Sequence, residues 1–373
     1  MVAQHISQRT GSLLDADALY RDLERVYGDG YYQSVDYTLL SERGRNILRV
    51  TPVEKPWGPD YLRFAVVLES DRKNGSDFSL RAAYQRTALN RMGGQLLVNG
   101  QIGSEPGVDA EYYQPLDPRQ NWFIEPSVHY ASRSAPAYQD NRKVAEYDVS
   151  TVRLELAGGV NLGSLGQMRL GVSNTLGRAT LQTGVAVLTD QSQQVQGSFA
   201  SLDLDQLDRL YFPTHGWALH SRYFTSPERR YDKLDTQLQG SFSLGSYVFT
   251  SQLAYTGSTR GALPVFDAAS LGGFLKLSGY ARGQLLGDDM RYGRVGLERI
   301  LGSLPLGLRG DMRAGLALEA ARMGTRYTET QRTGTLESVT VYLGGETPLG
   351  PVYIGYGLAS GHSSNVYLFL GVP

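Results

Sequence analysis

Residues 236–259 read TQLQGSFSLGSYVFTSQLAYTGST, a long stretch without Asp, Glu, Lys or Arg. Gln, Ser, Gly and Thr run through it, so it would make a poor lipid-spanning helix. Its period is two. Tyr247, Phe249, Leu253 and Tyr255 share one face with Ser251, and Val248, Thr250, Gln252, Ala254 and Thr256 occupy the other. Such alternation is the signature of a strand. At ~3.3 Å per residue the two tyrosines stand about 26 Å apart. The apolar band of a membrane barrel is ~25 Å tall and carries aromatic residues at both rims. Taken alone, the stretch fits a soluble sandwich strand with terminal tyrosines equally well.

The pattern repeats along the chain. Leu62, Phe64, Val66 and Leu68 alternate with Arg63, Ala65, Val67 and Glu69. Phe78, Leu80, Ala82 and Tyr84 alternate with Ser79, Arg81, Ala83 and Gln85. From Leu306 to Glu319, leucines alternate with Arg309, Asp311 and Arg313. Sandwich strands average five or six residues, whereas these runs last for ten to fourteen, as tilted membrane strands require. Sixteen strands are expected, centred near Phe64, Ala82, Val98, Tyr112, Val128, Val152, Gly171, Gln196, Leu219, Gln239, Leu253, Val295, Ala314, Val341, Gly355 and Leu368. The fold class is therefore all-β with a small α+β N-terminal piece: a 16-stranded antiparallel transmembrane barrel over 58–373, an even strand number being the rule for bacterial barrels.

Composition agrees with polar-faced strands. Glycine makes up 44 of 373 residues, about 12% against an ordinary ~7%, and 24 tyrosines outnumber 11 Phe and 3 Trp. The 36 basic and 37 acidic residues leave a net charge of −1, which excludes a general nucleic-acid role. With no cysteine, disulfide frameworks, thiolate metal sites and thiol catalysis are excluded together. Residues 1–10 have neither a charged n-region nor an apolar h-region. The chain thus reads as cytosolic, or as a mature or trimmed piece.

Residues 1–57 differ. Ser12-Leu13-Leu14-Asp15 resembles a capping box, Leu19, Leu23, Val26 and Tyr27 follow at helical spacing, and Gly28-Asp29-Gly30 ends the run. Strands are expected over 34–40 and 47–53 with a turn near Gly44, and Pro52, Pro56, Gly58 and Pro59 mark the junction. Helix plus hairpin looks like part of a larger unit.

Four segments carry a family resemblance. Residues 19–32, LYRDLERVYGDGYY, resemble a polypeptide-transport-associated (POTRA) repeat, here a single partial one. Residues 207–217, LDRLYFPTHGW, match a turn built on Asp208, Phe212, Pro213 and Gly216. Residues 271–287, LGGFLKLSGYARGQLLG, are similar to a long loop, here about 261–290, that folds into the lumen. Residues 347–357 lead into the strand Val366, Tyr367, Leu368, Phe369, Leu370 and Gly371, which looks like an outer-membrane insertion signal. Together these resemble the BamA/TamA-like outer-membrane superfamily. Residues 54–64 and the Ser-Gly-Tyr loop are most similar to the C-terminal half of patatin-like phospholipase autotransporters (type Vd secretion).

The resemblance implies an outer-membrane barrel of a Gram-negative bacterium with its POTRA in the periplasm. It implies a translocator or anchor that helps secrete or display a fused patatin-like passenger. Its partners would be outer-membrane lipid, that passenger and the outer-membrane assembly machinery, with homo-oligomerisation left open. A stand-alone assembly factor and a passive diffusion pore are the alternatives. The loop motif of the family is (Val/Leu)-Arg-Gly-(Phe/Tyr); here it reads Leu277, Ser278, Gly279 and Tyr280, without the arginine that pairs with a wall acid. Asp311 is the nearest match for that acid, and Arg282 or Lys276 could stand in for the arginine.

No Gly-x-Ser-x-Gly elbow occurs. The chain itself is therefore expected to carry no catalytic residue, and any phospholipase activity would belong to the passenger. His5, His129, His215, His220 and His362 are scattered without a ligand pattern, so neither metal nor cofactor is expected. The mixed signs of Arg63, Arg81, Arg153, Arg222, Arg294, Arg309 and Arg313 against Glu69, Glu155, Asp235, Glu298, Asp311 and Glu319 read as a hydrated wall of ion pairs. The first and last strands are expected to meet in a weak seam, the last being short.

Overall fold

The computed structural model describes residues 6–28, 32–42, 44–54, 60–71, 75–227, 231–303, 310–331, 334–347, 350–360 and 363–371. Helix α1 (Ala16–Gly28) starts where Asp15 Oδ1 accepts the Ala18 amide at 3.0 Å, which satisfies one orphan donor of the first turn. Asp15 is thus the cap. Ser12 instead donates its hydroxyl to the Arg9 carbonyl at 2.7 Å, because it lies before the point where the chain enters the helix. Leu19 and Leu23 form the buried face. Strands β1 (Tyr32–Glu42) and β2 (Arg45–Glu54) pair as a separate antiparallel hairpin. The expectations placed on Asp29, Gly30, Pro56, Gly58, Pro59, Leu306, Leu308, Arg309 and His362 lie outside the described residues.

The remaining strands are β3 (Asp60–Asp71), β4 (Gly75–Arg86), β5 (Gln95–Gly103), β6 (Gly107–Pro115), β7 (Trp122–Gln139), β8 (Arg142–Asn161), β9 (Gly166–Gly184), β10 (Gln191–Asp205), β11 (Gly216–Ser226), β12 (Tyr231–Leu244), β13 (Tyr247–Gly257), the inner piece β14 (Ala269–Leu271), β15 (Leu285–Ser303), β16 (Asp311–Arg326), β17 (Leu336–Thr347), β18 (Gly350–Ala359) and β19 (Ser363–Leu370). Setting β14 aside, sixteen strands pair antiparallel in chain order and close into a barrel where β19 meets β3. All sixteen expected centres fall inside these strands.

Strand alternation sorts the faces. On β16, Leu316 and Leu318 are exposed outside, while Arg313, Ala317, Glu319, Ala321 and Met323 are buried inside. On β13, Tyr247, Phe249 and Leu253 face out and Val248, Gln252 and Thr256 face in. A closed barrel with an apolar exterior pairs its strands with one another, which is the form in which strands cross a bilayer. β7 and β8, with 18 and 20 residues, exceed the ten to fourteen expected. They run on into a tall hairpin closed by Asp140 and Asn141, both at positive φ, the geometry of a two-residue hairpin turn. Near its turn, Ala137, Ala145 and Tyr147 join one apolar cluster with Val265 and Phe266 of an inner loop.

Candidate functional site

That loop, residues 258–284, leaves β13 on the side of the barrel opposite Asp60 and turns back into the lumen. It touches the wall in every quarter. Phe266 lies over Gly177 of β9. Asp267 accepts from Tyr231 and Lys233 of β12, at 3.0 and 3.2 Å, and stands 3.7 Å from Arg153 of β8. The Gln284 amide reaches Asn141 at 3.0 Å and Glu329 at 2.8 Å. Leu271, Leu277, Tyr280 and Leu285 pack with Tyr292, Met323 and Leu336. The main core of the molecule is therefore inside the barrel, built around its own loop.

The tip is fixed by one carboxylate. Glu319, 3% exposed, accepts the amides of Leu277 at 3.0 Å and Ser278 at 2.8 Å. It also accepts the hydroxyls of Tyr292 at 2.9 Å and Thr340 at 3.0 Å. Four donors thus meet a carboxylate that pairs with no arginine among the described residues. Arg294, its cross-strand partner, instead donates to the Leu275 carbonyl at 2.8 Å. Leu275 and Leu277 are held at positive φ, 54° and 77°, a region costly for residues with a Cβ. The Ser278 hydroxyl braces this turn by accepting the Leu275 amide at 2.8 Å.

Gly279 then lies flat on the wall. Its amide donates to Ser338 at 2.8 Å and its carbonyl accepts from Ser363 at 2.7 Å. A Cβ there would fall 2.3 Å from that of Ala359, and one on Gly357 would fall 2.3 Å from the Ser278 carbonyl oxygen. The Tyr367 hydroxyl is shared between the carbonyls of Ser278 and Tyr280, at 2.9 and 2.8 Å.

The wall partner is therefore Glu319 and not Asp311. Both face inward on β16, but Asp311 lies eight residues nearer the Asp60 side, ~26 Å along the strand, where it sits 3.8 Å from Arg209. Arg282 does not take the place of the missing loop arginine either. It meets Glu69 at 3.1 Å, Asp77 at 3.6 Å and Glu105 at 2.7 Å, all near the start of the barrel. Lys276 is exposed and lines a cavity of about 370 Å³ together with Phe212, Gln239, Gln252 and Tyr353.

The turn 206–215 closes that cavity from the Asp60 side. Asp208 accepts the amides of Thr214 and His215 at 2.8 and 3.0 Å, and the Thr214 hydroxyl. Desolvation pushes its pKa up, but these donors and Arg209 outweigh it and bring the group down to about 2. Gly216, at φ +101°, passes so close to Gln206 that a Cβ would sit 2.0 Å from its carbonyl oxygen. Phe212 turns inward onto Tyr353, with ring centroids 5.1 Å apart, and lies under the Arg313 guanidinium. Arg313 donates to the Phe212 carbonyl and to Glu298, at 2.9 and 2.8 Å. Of the last strand, Val366 and Leu368 face outward, while Tyr367 and Phe369 are buried in the aromatic cluster with Phe274 and Tyr353.

Two outcomes follow for this turn. Phe212→Ala removes a ring that is 7% exposed and is expected to destabilise the barrel by about 3–5 kcal/mol, read as a lower temperature of conversion from compact to unfolded form on a mild-detergent gel. Because the folded pKa of Asp208 is depressed, its stabilisation is complete above its ordinary value of ~3.9 and is lost as pH falls through about 2. Asp208→Asn should differ from the parent by a constant amount above pH ~4, with the gap closing toward pH 2. A gap that widens in acid would contradict this.

Comparison with known proteins bears on the fold. No family model and no curated protein matches the chain. Solved structures do. BamA from Haemophilus ducreyi lacking POTRA domains 1–3 aligns with a TM-score of 0.74 at 16% identity, over 99% of this chain and 80% of that one. CdiB from Escherichia coli gives 0.62 at 15% identity, over 99% and 73%. CdiB from Acinetobacter baumannii gives 0.60 at 12% identity, over 99% and 70%. This chain has the fold of the BamA-type β-barrel.

Proposed function

We propose that the chain is the translocator part of an outer-membrane protein of the BamA/TamA-like superfamily, with one partial POTRA domain in the periplasm, and that it helps secrete or display a fused N-terminal patatin-like phospholipase passenger. One observation carries the translocator reading. The lumen is occupied by the chain's own loop, seated on Glu319 by the amides of Leu277 and Ser278. A loop so seated suits a conduit that must stay shut until a polypeptide engages it. The passenger rests on residues 54–64 and the Ser278-Gly279-Tyr280 loop, which resemble the type Vd class. In this reading the chain contributes no catalytic group. The hairpin β1–β2 offers a strand edge to an extended segment, and residues 366–371 serve membrane insertion.

The test is the intact mass and N-terminal sequence of the native protein taken from outer membranes. A protein longer by a whole domain containing a Gly-x-Ser-x-Gly elbow supports the passenger reading. A native start just ahead of residue 1 removes the passenger and favours an assembly factor.

A further inference from the structure

Among the described residues, β19 meets β3 through four pairs, Tyr367↔Asp71, Leu368↔Ser70, Phe369↔Glu69 and Leu370↔Leu68, whereas β3 and β4 pair over their full length. Among the described residues, 60–67 have no strand partner on that edge. At this seam, four pairs hold two strands less firmly than a full ladder does, since sheet cohesion grows with the number of pairs.

The lumen loop grips both sides of it. On the last strand, Ser363 holds the Gly279 carbonyl and Tyr367 holds those of Ser278 and Tyr280. On the first, the Arg282 amide donates to Asp71 at 3.3 Å and its guanidinium to Glu69 at 3.1 Å. The residues that hold the loop are themselves register partners across the seam, Tyr367 with Asp71. Electrostatics add to this. Glu69, Asp71 and Asp77 crowd one inner patch, Glu69 directly opposite Asp77 in the β3–β4 ladder. Arg282 supplies their cation, with Lys276 alongside in the same cleft. Without it, like charges face one another beside the thinnest part of the sheet, where repulsion is costly.

We infer that residues 278–282 are a clasp across the β3–β19 seam, so that seating of the loop and closure of the barrel are one event. Arg282 is the positioning residue for the first strand, and the carbonyls of residues 278–280 are the hold on the last. The device belongs to the barrel itself and stands whichever polypeptide the barrel serves.

The native chain has no cysteine, which makes the seam readable. In the full chain reconstituted in phospholipid vesicles, Ser70→Cys with Leu368→Cys reports seam closure by cross-linking with a short bifunctional thiol reagent. Separately, Lys276→Cys reports loop release by its rate of labelling with a small maleimide. Arg282→Gln is expected to slow seam cross-linking and speed loop labelling, each by about tenfold, as for loss of a partly buried ion pair. Tyr367→Phe, which keeps every charge and releases the other strand, should move both readouts in the same direction and carries the test should Arg282→Gln fail to insert. Loop labelling that rises while seam cross-linking stays at the parent rate would overturn the inference, as would two unchanged readouts.

Discussion

Glu319→Ala should unseat the lumen loop and with it loosen the β3–β19 seam, while the other strands stay paired. The carboxylate is buried and satisfies four donors at once: two loop amides, one tyrosine and one threonine. Hydrogen bonds to a charged acceptor contribute roughly 1.5–3 kcal/mol each. They share one acceptor group, so the sum is not additive, and lumen water can reclaim some donors. A net cost of about 3–5 kcal/mol is the reasonable scale. It falls on the loop, since Leu277 and Leu275 sit at positive φ only while something holds them there. The expected readings are a lower compact-to-unfolded transition on mild-detergent gels and rapid proteolysis within 258–284. Glu319→Gln keeps one accepting oxygen and should show about half the loss. Unchanged protease resistance in Glu319→Ala would mean that the loop is held by its apolar packing alone.

Gly279→Val should have an effect of the same kind by steric means. A Cβ at 279 falls 2.3 Å from the Ala359 Cβ and 2.4 Å from its amide nitrogen, contacts that neither backbone can relieve without moving. Overpacking costs typically ~1–3 kcal/mol, and here the loop can escape by lifting off the wall. We expect a barrel that still inserts and still shifts on gels, with its loop exposed to protease. Gly279→Ala should be milder but not relieved by Ala359→Gly, because the Ala359 nitrogen and Cα stay 2.4 and 2.8 Å from the new methyl. A Gly279→Ala loop as protease-resistant as the parent would contradict the close wall contact.

These variants also mark where sequence reading stops. The strands were legible because period-two alternation is local: each of the sixteen centres, from Phe64 to Leu368, needs only its neighbours to be placed. The inward face of β16 was legible for the same reason. Height was not. Asp311, Arg313 and Glu319 all point inward, and nothing near them says how far a loop returning from the opposite rim will descend. Glu319 lies 42 residues from Leu277 in the chain, and Glu69 lies 213 from Arg282, separations that only the closed barrel brings together. Tyr367 and Phe369 were ambiguous for another reason. With Val366 and Leu368 between them, both faces of the last strand are apolar, and only the filled lumen decides that the aromatics turn in. Asp15 in place of Ser12 as the helix cap is the usual uncertainty of where a helix begins.

The central claim is that this barrel is shut by its own loop, and conductance in a planar bilayer tests it most directly. Purified full-length chain should insert and show little or no steady current, while Glu319→Ala should open steps of the size a 16-stranded pore allows. A large, steady current through the unaltered protein would contradict the account, because a lumen filled from Phe266 to Gln284 cannot carry it.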